Sequence, residues 1–155
     1  MRIWAIPRVE MERVIRMGFP PTCAAISITV PGESKVVFPE GVQVLALEFY
    51  DMDTPVPGEE EKYPIFTEDQ GRQVIEFLRS IGDKDLLIHC HAGIARSGAI
   101  ALVAHELFGT DAAQFEADNK SIDPQPIVVR ILRTLAGLPD RPLPVKPVPD
   151  PRDIF

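Results

Sequence analysis

Ten consecutive residues, His89-Cys90-His91-Ala92-Gly93-Ile94-Ala95-Arg96-Ser97-Gly98, set a thiol, a guanidinium and a hydroxyl at spacings that can do chemistry. The apolar run Leu86-Leu87-Ile88 leads into them, and a long apolar stretch from Ser97 to Phe108 follows. That pattern reads as strand, tight loop, helix. A helix N-terminus offers unpaired N–H groups and the positive end of its dipole, so it collects anions. Successive N–H groups in a tight turn form a nest that does the same. Cysteine in such a field is favoured as its thiolate, the nucleophilic form. The Arg96 fork can grip an oxyanion bidentately, as a lysine cannot. His91, Ala92, Gly93, Ile94 and Ala95 supply the backbone donors, and the two alanines leave the mouth open. Gly93 and Gly98 allow unusual dihedrals or close backbone approach. Ser97 can donate to the sulfur when it departs. Such a loop can hold a phosphate dianion and attack it with sulfur. The plainer description is a buried cysteine ahead of an ordinary strand-to-helix turn. Against it, the strand, the glycine, the arginine, the hydroxyl and the helix all fit one site.

The segment His89–Ser97 resembles the H-C-x5-R-S/T signature of the cysteine-dependent protein tyrosine phosphatases, and its A-G-I-x-R-S form resembles the compact dual-specificity branch. The resemblance implies an α/β fold, a phosphocysteine intermediate, and neither metal nor cofactor. It also implies that His89 helps to set the environment of Cys90, although a neutral, hydrogen-bonded strand histidine describes that residue equally well.

A sulfur nucleophile on a phosphate ester needs a proton for the leaving oxygen, and the family supplies it from an aspartate at the end of an upstream strand. Asp51 is the first candidate and Asp53 the alternative, since side chains two apart on extended chain share a face. Both are also ordinary residues for ending a strand in a turn. Asp51 precedes Cys90 by 39 residues, somewhat long for compact members, and the loop carrying Glu59-Glu60-Glu61 accounts for the excess. Where the family often has an asparagine in the turn that braces the phosphate loop, this chain has Gln125, within Pro124-Gln125-Pro126. The loop holds no lysine, whereas relatives acting on inositol phospholipids usually carry lysines there. The expected partner is therefore a phosphorylated protein or a small phosphomonoester. Two other classes stay in view: a rhodanese-like sulfurtransferase, which also uses a loop cysteine at a strand end, and a non-catalytic phosphate-binding module.

Composition bounds the rest. At 155 residues, 45% hydrophobic and 25% charged, the chain is of a size and balance for one globular domain. No stretch is long and apolar enough to span a membrane, and the first residues do not form a signal peptide. Two cysteines, one needed as a thiolate, suit a reducing, cytoplasmic setting. A net charge of −7 disfavours nucleic acid and anionic membranes as partners. Oligomeric state stays open. His89, His91 and His105 show no convergent metal-ligand spacing. Cys23 and Trp4 read as core residues, and Glu59–Glu61 as a solvated run.

Elements follow from periodicity. Strands are expected over Arg2–Pro7, Cys23–Val30, Val42–Phe49 and Lys84–Ile88. Helices are expected over Val9–Met17, with Val9, Val14, Ile15 and Met17 apolar, and over Ser97–Phe108, Thr110–Asn119 and Ile127–Leu138. Another starts after Thr67, whose partner Gln70 completes a capping box, and ends at Gly82. Alternation of strands and helices implies an α/β domain with a central, mostly parallel sheet flanked by helices, and with the C-x5-R loop between a strand and a buried helix. The catalytic domain is expected over residues 1–138, followed by an extended, proline-rich tail over 139–155.

Overall fold

The computed structural model describes residues 1–143. Four strands alternate with helices in the order β1 (Ile3–Pro7), α1 (Arg8–Gly18), β2 (Cys23–Thr29), β3 (Val44–Glu48), α2 (Glu68–Ser80), β4 (Asp85–Cys90), α3 (Arg96–Phe108), α4 (Ala112–Asp118) and α5 (Pro126–Ala136). The strands form one parallel sheet in the order β1-β4-β2-β3. Parallel sheets need cover on both faces, and β2 is buried at all seven positions. On one face Ile26, Ile28, Leu86, Ile88 and Cys90 join the large core formed with α2, α3 and α5. On the other, Ala25 and Leu87 pack beneath Met11 of α1. No described helix is long and apolar enough to cross a membrane.

Helix α3 runs through the middle of the large core, with Ala99 to Ala104 wholly buried. Its nearly all-round apolar sequence is what such burial requires. Helix α2 begins at the expected capping box: Thr67 Oγ1 accepts from the Gln70 N–H, and Gln70 Oε1 accepts from the Thr67 N–H. Gln70 Nε2 also donates to the Glu48 carbonyl, which ties the helix start to the end of β3.

Several expectations are corrected. The sheet-facing stripe of α1 is Met11, Val14 and Ile15, at helical spacing, so Val9 and Met17 lie off it and are 71% and 74% exposed. Trp4 is not core. It sits on β1, an edge strand of the sheet, is 37% exposed, and stacks under the Arg2 guanidinium. The fourth strand runs past Ile88 to Cys90, because its pairing with β1 continues to Pro7↔Cys90. The third strand is shorter than expected, Val44–Glu48. Residues 139–143 are docked, not free. Arg133, 2% exposed on α5, needs partners for its buried charge; it takes the Glu106 carboxylate and the Arg141 carbonyl. Leu143 then packs against the core, and Arg141 pairs with Glu116. Residues 144–155 of the expected tail lie outside the described residues.

Candidate active site

The carboxyl ends of β1 and β4 lie side by side, Pro7 opposite Cys90, and the Cys90–Arg96 loop begins there. Open parallel sheets bind ligands at such strand ends. The loop is fixed from both directions. At its start the Arg8 N–H donates to the His91 carbonyl at 3.1 Å. At its finish the carbonyls of Ile94 and Ala95 accept from the N–H groups of Asp123 (3.3 Å) and Gln125 (3.0 Å), in the turn before α5.

Gly93 turns the chain with φ 71°. A Cβ there would lie 2.5 Å from the Ile6 carbonyl carbon and 2.9 Å from its oxygen, so only glycine fits. Gly98 is needed for a different reason, since a Cβ there would meet Ile122 at 2.6 Å.

The thiol lies on the loop floor, 2% exposed. Its Sγ accepts from the Gly93 N–H at 3.2 Å and lies 3.2 Å from Ser97 Oγ, which can donate to it. Among the described residues, the N–H groups of Ala92, Ile94 and Ala95 have no protein acceptor. Unpartnered loop donors, two donors on sulfur and the start of α3 thus lie within one short stretch of chain, which suits an anion in contact with sulfur.

Arg96, 9% exposed, donates from Nη1 to the Phe49 carbonyl at 3.0 Å. Its Nε and Nη2 have no acceptor among the described residues, so the edge that binds an oxyanion bidentately is free. Phe49 is itself wholly buried against Phe66, and its N–H donates to the Thr29 carbonyl. The arginine is therefore braced by the end of β3.

The chain from Asp51 to Tyr63 forms a loop whose base is closed by the Tyr50 N–H on the Pro64 carbonyl at 2.8 Å and by an edge contact of the Tyr50 and Tyr63 rings. The structure separates the two aspartates. Asp51 Oδ1 accepts from Gln125 Nε2 at 2.8 Å, and Gln125 is the residue bonded to the end of the Cys90–Arg96 loop. Asp53 instead lines a cavity of about 480 Å³ bordered by α5 and residues 140–143, with Ile127 and Arg130. The extended chain on which the two would share a face is absent: Asp51, Asp53 and Thr54 lie in bends, and none of residues 51–54 is strand.

His89 is wholly buried, on the α1 face of the sheet and so opposite the thiol. Nδ1 lies 3.3 Å from the Cys90 carbonyl, which can only accept, so that nitrogen is assigned the proton. Nε2 then accepts from Ser27 Oγ at 2.6 Å. Burial pushes the imidazole below the ordinary histidine range, and the ring is neutral. His91 lies exposed in the loop, while His105 is on α3, stacked on Phe115. Cys23 is buried at the start of β2, and burial pushes its thiol up.

The tyrosine phosphatase family model matches residues 38–120, more than half of the chain. The chain belongs to the tyrosine phosphatase family. Solved structures of similar fold include the human tyrosine phosphatase-like serine/threonine/tyrosine-interacting protein (21% identity, 86% of each chain covered, TM-score 0.53). Others are PTPMT1 in complex with PI(5)P (19% identity, 88% of this chain and 90% of that one, TM-score 0.51) and DUSP15 (16% identity, 86% and 82%, TM-score 0.51). No curated protein matches the sequence significantly. Membership of this phosphatase family sets aside the rhodanese-like alternative.

Three supports of the site carry no sequence signal strong enough to name them. They are the Phe49 carbonyl, because any residue has one, Arg8, and Ser27. Gln125 was visible as a departure from the family's turn, but its reach to Asp51 was not.

Proposed function

We propose that this phosphatase-family chain is a metal-independent phosphomonoester hydrolase that acts on phosphotyrosine, and on phosphoserine or phosphothreonine, through a phosphocysteine at Cys90. One observation carries the reading: Cys90 Sγ accepts from the Gly93 N–H and lies 3.2 Å from Ser97 Oγ, in a loop whose Ala92, Ile94 and Ala95 N–H groups and Arg96 Nε and Nη2 have no acceptor among the described residues. A relative that merely bound phosphate would need neither the thiol nor its two donors.

The phosphate dianion docks on the loop N–H groups and on Nε and Nη2 of Arg96. The Cys90 thiolate attacks phosphorus, forming the P–S bond as the P–O ester bond breaks. Asp51 gives its proton to the leaving oxygen. Water then attacks phosphorus and passes a proton to the Asp51 carboxylate. The P–S bond breaks, and the hydroxyl of Ser97 stabilises the departing thiolate.

Ala92 and Ile94 are exposed at the rim, so phosphates on side chains of different length can reach the sulfur. The loop lacks lysine to meet further phosphates, which favours phosphoprotein over inositol phospholipid substrates. Two buried free thiols suit a reducing compartment such as the cytoplasm.

The test is hydrolysis of p-nitrophenyl phosphate and of a phosphotyrosine peptide by the wild type and by Cys90→Ser, each with and without a chelator. Turnover should survive chelation in the wild type and vanish in Cys90→Ser, which should still bind vanadate. Substantial turnover by Cys90→Ser refutes the mechanism.

A further inference from the structure

Three of the hydrogen bonds of Gln125 reach three different parts of the site. Its N–H donates to the Ala95 carbonyl, at the end of the phosphate loop (3.0 Å). Its Oε1 accepts from the Ile127 N–H, capping α5 (3.1 Å). Its Nε2 donates to Asp51 Oδ1 (2.8 Å). The side chain is buried, 7% exposed, whereas Asp51 is exposed on a loop. Because Oε1 is committed to the helix cap, the amide faces the carboxylate with its NH2 and cannot usefully flip. An exposed aspartate on a loop otherwise samples several rotamers. Here one carboxylate oxygen is hung from the residue that also clamps the phosphate loop.

We propose that Gln125 is a positioning residue for the proton donor, fixing Asp51 relative to the leaving oxygen of a substrate held over Cys90. The proposal rests on the hydrolase mechanism above. The bond suits both states of the acid. Oδ1 accepts from Nε2 whether the group is a carboxylate or a carboxylic acid, and Oδ2 is left to carry and release the proton. Asparagine is one methylene shorter. It could keep the loop brace and the helix cap but would fall short of Asp51.

A double-mutant cycle tests this. Phenyl phosphate, with a basic leaving group, and p-nitrophenyl phosphate, with an acidic one, are compared in the wild type, Gln125→Ala, Gln125→Asn, Asp51→Asn and the Gln125→Ala/Asp51→Asn pair. In the Asp51 background, both Gln125 variants should lower kcat on phenyl phosphate by roughly 10- to 100-fold, as for misplacement of a reacting group. They should cost far less on p-nitrophenyl phosphate, with KM little changed and a weaker basic limb in the kcat–pH profile. In the Asp51→Asn background, Gln125→Ala should cost almost nothing further. Equal losses on both substrates in both backgrounds, or full activity on phenyl phosphate, overturn the proposal while leaving the hydrolase intact. Gln125→Asn separates acid positioning from loop bracing if the alanine variant folds poorly. A wild type that turns over neither substrate refutes the hydrolase reading and the proposal with it.

Discussion

Arg96 Nη1 donates to the carbonyl of Phe49 at 3.0 Å, joining the start of α3 to the end of β3 across 47 residues of chain. That bond takes one end of the guanidinium and leaves Nε and Nη2 for an oxyanion. It also pins the backbone two residues before Asp51, so in the proposed mechanism anion binding and acid placement share one support.

Lysine cannot hold both partners, because its ammonium is a single point of donation. Arg96→Lys should lower kcat on p-nitrophenyl phosphate by about 10²–10³-fold, the range for losing a preorganised oxyanion donor. Vanadate inhibition should weaken in parallel. Retention of wild-type vanadate affinity would show that the guanidinium is not the anion's partner.

Asp51→Asn should lower kcat by about 10²–10⁴-fold on a substrate with a basic leaving group and much less on one with an acidic leaving group. Asp53 lines the cavity bordered by α5 and residues 140–143, so Asp53→Asn should stay close to the wild type on both. A Brønsted series of aryl phosphates checks the pair. A leaving-group-dependent loss in Asp53→Asn alone would transfer the acid role by two residues.

Gly93→Ala combines a left-handed φ with a collision against the backbone of Ile6. Gly109 shares the φ, at 67°, but has open space around a Cβ, so Gly109→Ala is the matched control. The control should lose roughly 1–2 kcal/mol by strain alone. Gly93→Ala should lose more and also lose vanadate binding, because the loop must move. Thermal melts with and without vanadate compare them.

Burial holds His89 below the ordinary histidine range. In the unfolded chain the same ring takes up a proton below about pH 6.5. The unfolded state therefore binds more protons in that window, and stability falls as pH drops through it. Full stability is present above the unfolded value. His105, likewise pushed down by burial, adds in the same direction. Melting temperature should decline from about pH 7 to pH 5, and His89→Gln should show a shallower acid decline than the wild type. Equal slopes would mean that His89 is charged in the fold.

Much of this molecule is legible in its sequence, for local reasons. The cysteine, the arginine six residues beyond it and the following hydroxyl lie within one tight loop and one helix N-terminus, so chain connectivity alone brings them together. The same holds for the Thr67–Gln70 capping box and for α3, whose all-round apolar composition admits only burial. Edges and long-range pairings were another matter. Trp4 reads as core and Val9 as part of a helix's apolar set, yet exposure depends on which strand is the sheet's edge and which positions of α1 meet the sheet, and the strand order β1-β4-β2-β3 is not written locally. The bond by which Asp51, and not Asp53, is tied to Gln125 likewise joins residues 74 apart in the chain. The bracing of Arg96 turned on a backbone carbonyl that any residue could supply. Sequence determines groups whose partners are near in the chain; groups whose partners arrive by folding are decided only by the packed structure.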